Sequence, residues 1–457
     1  MIKRVCIFCC FIVVISSCTT SQQKKIDKPN FLFIAVDDLN DWVGFLEGHP
    51  QAKTPNLDRL AKSSLIFDRA YCAASVCNPS RASIMSGYRP STTGIYQNTH
   101  KVFENDLIKK SLMLPQYLSK YGYETFSRGK IYHTPNTGKH TWDTWSNVEG
   151  NYGNVEKKKG FLDNGILKGE MSDNMDWAAT NISVEATPDY LNAEWAANLL
   201  QTPIEKPFFI GLGIFRPHLK WVVPKEFYDL FPLEDITLPK VLETDLEDLD
   251  NNLRPTKEYL VIKKYGKEKE AVQAYLASIA YADYCIGLVL DALEKSTYKD
   301  NTVVILWGDH GWHLGEKLRY KKFTLWEEAA RVPLLIRVPN ITKSETRSAR
   351  TVNLLDLYPT ILDLANIPKN DKNEGLSIVP LLKNPNKKWD YPSLTQMGKG
   401  RNSLRTEQWR YIKYEDGTEE LYDHNKDSLE WNNLANKPEY AKIKLNLEQK
   451  LNKIFKK

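Results

Sequence analysis

The chain has 457 residues, 42% of them hydrophobic and 26% charged, and its formal net charge at pH 7 is +5. This composition is that of a soluble globular protein, and the length predicts one large domain together with a smaller one. Because no long basic run and no aromatic-basic motif accompanies the small positive charge, we expect no nucleic-acid partner.

The N-terminus has the features of an export signal. Lys3 and Arg4 precede an apolar run, and small residues lead to Cys18. The run is too short for a stable membrane span, and its ending ISSC resembles a bacterial lipobox, whose cysteine is lipid-modified and becomes the first residue. We therefore predict a lipoprotein signal over 1–18, a flexible tether over 19–28, and an exported protein anchored to a bacterial membrane, in the periplasm or on the cell surface. A standard cleaved signal with an incidental cysteine is the alternative.

Six short apolar runs predict buried, mainly parallel strands. In chain order they are PNFLFIAV, SSLIFDRAYC, YETFSRGK, KPFFIGLGI, NTVVILWG and VPLLIRVP. Helical segments such as LPQYLSKYG and AVQAYLASIAYADYCIGLVLDALEK lie between several of them, which predicts an α/β domain over 29–370. Polar clusters follow most of these strands at the carboxyl end, where ligands bind in such sheets. We therefore expect one pocket built from distant segments.

After about residue 370 the sequence changes character. The loop-forming stretches PKNDKNEG and KNPNKKWDYP precede EQWRYIKYEDGTEELYD, which predicts a hairpin turning at Asp416-Gly417. A Lys-rich helical segment ends the chain. These elements predict a smaller α+β subdomain with an antiparallel sheet over 371–457.

Three cysteines lie in the part of the chain predicted to fold, beyond the signal and the lipid-modified Cys18. Cys285 lies in an apolar-periodic segment and is predicted to be a helix core residue. Cys72 and Cys77 could form a small-loop disulfide, which the sequence neither supports nor excludes. These three cysteines include no Cys-x-x-Cys pair of the kind that would suggest a zinc site.

Polar pairs at two strand ends suggest a metal site. Asp37-Asp38 ends the first apolar run, and Asp309-His310 ends the fifth. Adjacent side chains on a regular strand point to opposite faces, so both aspartates can face one ion only where the strand gives way to a loop. Each pair alone fits an ordinary turn. Together with the sequence Cys-Asn-Pro-Ser-Arg at 77–81, they indicate one functional site.

The pentapeptide at 77–81 resembles the activation motif of the type I sulfatases, in which the cysteine is oxidised to formylglycine. The similarity continues in order through AVDDLN, CNPSRASIMSGYRP, GKIYH, RPHLKWVVPKEF, DHGWHLGEKLRYKKFTLWEEAARVPLL and LDLYPTILDLA. GKIYH and the segment from PH to PKEF are most similar to the iduronate-2-sulfatase-like branch. The resemblance implies an alkaline-phosphatase-like fold, with a large mixed, mainly parallel sheet sandwiched by helices.

The resemblance also implies one divalent ion, usually calcium. Its ligands would be Asp37, Asp38, Asp309 and His310, with the modified Cys77 completing the set. Calcium prefers oxygen ligands, whereas Mn²⁺ or Zn²⁺ would suit the histidine better. A phosphoester or phosphonate-ester hydrolase of the same superfamily is therefore the alternative.

The residue-by-residue match assigns the remaining catalytic roles. A hydrated aldehyde at position 77 has two hydroxyls on one carbon: one attacks sulfur and releases the alcohol, and the other then loses its proton and expels sulfate. Arg81 and Lys130 would hold this diol, and His133 would be the base for the second step. His218 and Lys322 would bind sulfate and protonate the leaving oxygen. Pro79 suits the first turn of a helix, which would place position 77 just ahead of the helix N-terminus, where the dipole favours sulfate.

Other residues carry weaker predictions. Lys321 is the near alternative to Lys322, which keeps a gapless spacing within its motif. His313 is expected to be structural or to support the metal site. The loop residues that could contact a sugar are His100, His140, Trp221 and Arg401.

The sequence departs from the family after the pentapeptide. Relatives commonly have Leu-Thr-Gly-Arg there, whereas this chain has Met85-Ser86-Gly87-Tyr88 with Arg89 one place later. The change bears on recognition by the maturation enzyme, formylglycine-generating or anaerobic, that the resemblance implies as a partner.

We therefore expect a lipid-anchored sulfatase acting on a sulfated poly- or oligosaccharide. The branch resemblance favours a 2-O-sulfated sugar from an algal or host polysaccharide. A non-catalytic glycan-binding lipoprotein is the alternative from a different class, and the intact set of predicted site residues argues against it.

Overall fold

The computed structural model describes residues 28–134, 136–153, 159–250 and 253–455. The predicted signal over 1–18, the lipidation site Cys18 and nearly all of the tether over 19–28 lie outside the described residues. These remain predictions, as does the division of the chain at residue 370.

The strands of the described residues are β1 (Asn30–Val36), β2 (Leu65–Tyr71), β3 (Glu124–Gly129), β4 (Thr144–Trp145), β5 (Trp177–Thr180), β6 (Phe208–Ile214), β7 (Trp221–Pro224), β8 (Thr302–Gly308), β9 (His313–Leu314), β10 (Tyr320–Lys321), β11 (Leu334–Arg337), β12 (Thr346–Asn353), β13 (Ser393–Gln396), β14 (Asn402–Arg405), β15 (Trp409–Lys413) and β16 (Glu419–Asp423). The helices are α1 (Pro55–Ala61), α2 (Cys77–Ser86), α3 (Pro90–Thr93), α4 (Asp106–Lys109), α5 (Leu114–Lys120), α6 (Pro188–Leu199), α7 (Lys225–Tyr228), α8 (Lys257–Lys264), α9 (Glu268–Lys295), α10 (Glu327–Ala330), α11 (Leu357–Leu364), α12 (Val379–Lys383) and α13 (Ala441–Phe455). All six apolar runs contain the predicted strands.

The large sheet has eight strands in the order β12-β2-β11-β8-β1-β6-β3-β4. Its pairings are parallel except at β11, which runs antiparallel to both β2 and β8. This confirms the predicted mixed, mainly parallel sheet. Because β1, β6 and β8 are adjacent and parallel, the polar residues that follow them meet at one edge.

Hydrophobic side chains cover both faces of this sheet. Along β1, Leu32 and Ile34 belong to one buried cluster, whereas Phe31 and Phe33 belong to another. Burial of such a side chain contributes about 1.5–3 kcal/mol relative to exposure, so a strand covered on both faces has a continuous apolar sequence.

Helix α9 lies in the first cluster. Its 28 residues are apolar enough to cross a membrane, but most of them are buried inside the protein. Cys285 on this helix is completely buried, as predicted for a core residue, and both Cys72 and Cys77 are buried free thiols, so no disulfide joins them.

The C-terminal part contains the predicted antiparallel sheet, in the order β13-β14-β15-β16. The β15–β16 hairpin turns at Asp416-Gly417, as predicted, and α13 packs on the sheet through Leu447 and Leu451. This sheet contacts the loop that joins β2 to α2, since the Gln396 N–H donates to the Ala73 carbonyl at 2.9 Å. The C-terminal sheet therefore borders the functional site.

Candidate active site

The carboxyl ends of β1 and β8 bring two predicted motifs together. The strands are parallel neighbours, so Asp37-Asp38 and Asp309-His310 follow side by side. The Asp38 N–H donates to Asp309 Oδ1 at 3.0 Å. Asp38 has a φ of 61°, in the left-handed region that aspartate tolerates better than most residues. This turn is the break in strand alternation that two adjacent ligands require.

Helix α2 presents position 77 to these motifs. Cys77 is the first residue of the helix, whereas we predicted that it would lie just ahead of it; Pro79 occupies the first turn, where its missing N–H is not needed. In the same turn, the Ser80 hydroxyl donates to the Asp309 carbonyl at 2.6 Å. This contact fixes the start of the helix against the end of β8, with the positive end of the helix dipole at position 77.

Arg81 is completely buried and connects several strand ends. Its Nε donates to Asp309 Oδ2 at 2.7 Å, and its Nη2 donates to Asp37 Oδ1 at 3.0 Å. Nη1 donates to the carbonyls of Lys130 and Ile131. A guanidinium has a planar, rigid set of donors that suits this task. Arg81 therefore orients the carboxylates; its contact with a diol at position 77 stays a prediction.

Two lysines surround position 77 with positive charge. Lys322 Nζ lies 3.0 Å from Cys77 Sγ and 2.6 Å from Asp38 Oδ1, and Lys130 Nζ hydrogen-bonds to Asp37 Oδ2. Burial would raise the pKa of the Cys77 thiol, but Lys322 and Lys130, together with the neighbouring histidines, outweigh burial and hold that pKa well below its usual range. Burial would lower the pKa of Lys322, but Asp38 and the other negative groups of the site together outweigh burial and raise that pKa. The surroundings thus stabilise negative charge at position 77.

Four of the five predicted metal ligands form one buried group. Ligand atoms of Asp37, Asp38, Cys77 and His310 all lie within 4.8 Å of one another. Asp38 Oδ2 is buried without a hydrogen-bond partner, which fits a site for a cation. Asp309 lies beside the group, with its Oδ2 3.6 Å from His310 Nε2 and both oxygens accepting hydrogen bonds. The group could hold one divalent ion, and its mixed donor types do not select calcium.

Two histidines approach the same centre. His133 lies near Cys77 and contributes to the lowered pKa of its thiol, and His133 Nδ1 is buried without a hydrogen-bond partner. His218 is one-third exposed, and its Nε2 lies 3.9 and 3.8 Å from the two carboxylates that follow β1. Its Nδ1 lies 2.7 Å from the Leu219 carbonyl and must therefore carry a proton in that contact. Nε2 is then free to accept or donate a proton at the open side of the site.

The structure separates the two neighbouring lysines. Lys322 enters the site, whereas Lys321 Nζ donates to Glu258 Oε1 at 2.6 Å. His313 is completely buried, with its Nε2 2.7 Å from the Thr324 hydroxyl, and burial lowers the pKa of His313 to about 3. His313 is therefore neutral and structural, within the role that we expected.

The predicted sugar contacts have different outcomes. The prediction for Trp221 is wrong, because this side chain is completely buried and its Nε1 donates to a carbonyl inside the core. His100 is exposed, and its carbonyl accepts a hydrogen bond of 2.7 Å from the Asn78 amide, which places it beside the start of α2. His140 and Arg401 are also exposed, and Arg401 lines a cavity that it shares with Arg319 and Phe323.

Comparison with known proteins identifies the family. A family model described as Sulfatase matches residues 29–367, which is well over half of the chain. The chain belongs to the sulfatase family. A second model, described as N-sulphoglucosamine sulphohydrolase, C-terminal, matches residues 308–457 of this sulfatase. The predicted family and the predicted activity, hydrolysis of sulfuric esters, are confirmed.

Individual relatives of the sulfatase cover most of its length. A protein named Sulfatase from Formosa agariphila is 38% identical over 92% of this chain and 86% of its own. Human iduronate 2-sulfatase is 31% identical over 76% of this chain and 71% of its own, which agrees with the predicted branch. A solved structure in complex with D-glucosamine-2-N,6-O-disulfate has a TM-score of 0.74 at 23% identity, covering 94% of this chain and 98% of its own. This last likeness supports the alkaline-phosphatase-like fold, which is confirmed.

Sequence reasoning missed supporting residues of the sulfatase site. The Tyr275 hydroxyl donates to the Asp38 carbonyl at 2.7 Å and accepts from the Asn40 N–H at 3.0 Å, which holds the turn after β1. Tyr275 belongs to the apolar pattern of α9, so no sequence signal distinguishes it. Ser80 and Asn78 lie inside the pentapeptide, and their positions in the first helical turn were the sequence signal that could have identified them as supporting residues.

Proposed function

We propose that this sulfatase removes sulfate from a sulfated carbohydrate with Cys77 converted to formylglycine. The observation that carries the proposal is the position of Cys77 Sγ. It lies at the start of α2, 3.0 Å from Lys322 Nζ and 3.2 Å from His310 Nε2, in a completely buried setting. A disulfide or a filler residue needs no such convergence of charged groups, whereas a nucleophile does.

The modification would supply what a thiol lacks. A hydrated aldehyde carries two hydroxyls on one carbon, so that one can attack sulfur and loss of the other's proton can expel sulfate. His133, which lies near position 77, would be the base that takes that proton. Arg81 and the carboxylates that it contacts would keep the nucleophile aligned.

The cations of the site account for sulfate binding. Lys130, Lys322 and the N-terminus of α2 direct positive charge to the place that sulfate would occupy. His218 is the exposed member of the set, so it and Lys322 are the candidates that protonate the leaving oxygen. A divalent ion held by the buried Asp37, Asp38, Cys77 and His310 group, with Asp309, would polarise the sulfate oxygens. Calcium is our proposal for that ion, with Mn²⁺ or Zn²⁺ as alternatives.

The relatives support a carbohydrate substrate. Human iduronate 2-sulfatase is named for a sugar sulfate, and the solved structure described above contains a sulfated glucosamine. We propose a 2-O-sulfated sugar of an algal or host polysaccharide, processed by an exported protein that is lipid-anchored through Cys18. A formylglycine-generating or anaerobic maturation enzyme would be the partner that converts Cys77.

One experiment tests the nucleophile. The full chain is produced with a maturation enzyme, the peptide containing Cys77 is examined by mass spectrometry, and release of inorganic sulfate from sulfated oligosaccharides is measured. We expect an aldehyde at position 77 and no sulfate release from Cys77→Ala produced in the same way. Full activity of Cys77→Ala, or full activity with an unmodified thiol, would remove formylglycine from the mechanism.

The alternative hydrolase has one specific observation in its favour, the histidine in the metal group. Imidazole suits a transition metal better than it suits calcium. Under this alternative, kcat/KM for phosphate monoesters or phosphonate esters would exceed that for sulfate esters, and activity would require Mn²⁺ or Zn²⁺.

A further inference from the structure

A cavity of about 520 Å³ lies beside the active site, between the segment that follows Lys322 and the C-terminal sheet. We call it the Arg319 pocket. The residues of its wall that matter here are Arg319, Phe323, Trp326, Arg401, Glu415 and Asp416. Its volume is in the range of small-molecule sites and suits one or two sugar rings.

The Phe323 ring joins this pocket to the reaction centre. Phe323 lines the pocket and remains 46% exposed, which is unusual for a phenylalanine. The centroid of its ring lies 5.9 Å from Lys322 Nζ, which itself lies 3.0 Å from Cys77 Sγ. A substrate whose sulfate is at position 77 would therefore extend past this ring into the pocket.

Arg319 places a guanidinium in the same wall. Its Nε is buried without a hydrogen-bond partner, its Cζ lies 5.4 Å from the centroid of the Trp326 ring, and its hydrogen bond from Nη2 to the Arg254 carbonyl is long, at 3.4 Å. Within the described ranges, no carboxylate lies within ion-pair distance of it. The nearby Glu420 carboxylate instead accepts from Trp326 Nε1 and the Tyr422 hydroxyl, each at 2.7 Å. A partly buried cation without a partner is costly, so a ligand that pairs with it would be bound well.

The rim of the pocket carries one cation and two carboxylates, which leaves Arg319 as the distinctive cation of the inner wall. Arg401 is exposed, and the acidic side chains of Glu415 and Asp416 lie at the hairpin turn on the same rim. Asp416 Oδ1 is already bonded to the Thr418 N–H at 3.0 Å and to its hydroxyl at 2.7 Å. The rim therefore does not attract anions, whereas Arg319 on the inner wall does.

We propose that the Arg319 pocket binds the sugar next to the sulfated one, and that Arg319 pairs with an anionic group on that neighbouring sugar. The Phe323 ring packs against the apolar face of the sugar between the two charges. The anionic group is a carboxylate or a second sulfate, because each presents two oxygens that can accept paired hydrogen bonds from a guanidinium. This inference rests on the proposed carbohydrate activity and specifies which oligosaccharides it favours.

The test compares substrates of different length on the matured enzyme. The probes are a sulfated monosaccharide and three disaccharides whose neighbouring sugar carries a carboxylate, a second sulfate or, after carboxyl reduction, no charge. For Arg319→Ala we expect KM to rise about tenfold on a charged disaccharide and to change by less than about twofold on the monosaccharide, since a charge-assisted hydrogen bond contributes about 1.5 kcal/mol. Arg319→Lys should recover part of the loss. Arg59→Ala, which removes a surface charge from α1, is the matched control and should match wild type on all probes.

The substrate series gives an answer even if Arg319→Ala does not fold. Wild-type enzyme should prefer one or both charged disaccharides over the uncharged one by about tenfold in kcat/KM, and the preferred probe identifies carboxylate or sulfate. Equal use of all three disaccharides would overturn the inference, as would an Arg319→Ala loss of the same size on monosaccharide and disaccharide. If wild type releases no sulfate from any probe, the proposed carbohydrate activity itself fails, and binding of the charged and reduced disaccharides to Cys77→Ala by calorimetry then decides the pocket separately.

Discussion

Replacing Lys322 by methionine should remove most of the catalytic rate, because this lysine is the cation nearest to position 77. A unit charge 3.0 Å from a developing charge contributes about 5 kcal/mol at an effective dielectric constant of about 20. Lys130 and the metal group retain part of that stabilisation, so we expect a loss nearer to about 3 kcal/mol, which is about a hundredfold in kcat. Methionine keeps the length of the side chain and its packing near Trp312, whose ring lies 5.2 Å from Nζ.

Lys321→Met is the matched control for this prediction. Its side chain is one residue away and carries the same charge, but it pairs with Glu258 outside the site. Initial rates of sulfate release at saturating substrate give kcat for both variants, and thermal unfolding shows whether either has lost its fold. A kcat within about threefold of wild type for a folded Lys322→Met, or an equal loss in Lys321→Met, would refute the assignment of Lys322.

Three further perturbations follow from the buried charges. Arg81→Met should lower the free energy of unfolding of the metal-free protein by about 3–5 kcal/mol, measured in urea, because it removes the guanidinium from the buried Asp309 and leaves Asp37 with Lys130 as its cation. An unchanged midpoint would contradict the ion-pair geometry. His313 has a folded-state pKa of about 3 against an ordinary 6.5, so its contribution to stability is complete above pH 6.5 and falls with decreasing pH. Between about pH 7 and pH 4.5 wild type should lose about 2.5 kcal/mol more than His313→Gln, and parallel pH curves would refute this. Chelation of the metal should abolish sulfate release. In His310→Asn, an amide oxygen replaces the imidazole nitrogen, so the metal that best restores activity should change from Mn²⁺ or Zn²⁺ towards Ca²⁺. The same order of reactivation by the three metals in wild type and variant would show that His310 is not a ligand.

The strands of the central sheet were predictable because their sequences are apolar over their whole length. Strand β1 has both faces buried, so its sequence contains no alternation to misread. Strand β12 was missed for the opposite reason: it lies at the edge of the sheet, and its sequence TRSARTVN is polar and partly exposed. The reversed direction of β11 was also invisible, because strand direction depends on which connections the chain makes and not on side-chain pattern.

The candidate site was predictable to the extent that its residues follow strand ends or lie in a compact motif. Asp37, Asp38 and the pentapeptide at 77–81 are of this kind, and the structure brings them together. Tyr275 and Arg319 are not, since one is an ordinary member of an apolar helix pattern and the other is one of many charged residues in a loop. Their importance depends on neighbours that are distant in sequence, so only the folded structure reveals it.

The charge balance of the site explains why an ion and an anionic substrate would belong together. Three buried carboxylates face three permanent cations, so these charges cancel when position 77 is neutral and His310 is the neutral imidazole that would bind the ion. A divalent ion then leaves the centre positive by two charges, which matches a sulfate group as it gains negative charge and leaves. Without the ion, an anion would enter a buried site that lacks these two positive charges and would lose its hydration with less compensation. The orphaned Asp38 Oδ2 is the local sign of the same balance, because it is a buried carboxylate oxygen that no hydrogen-bond donor satisfies and it belongs to a group of ligand atoms within 4.8 Å of one another. These six groups are Asp37, Asp38, Asp309, Arg81, Lys130 and Lys322.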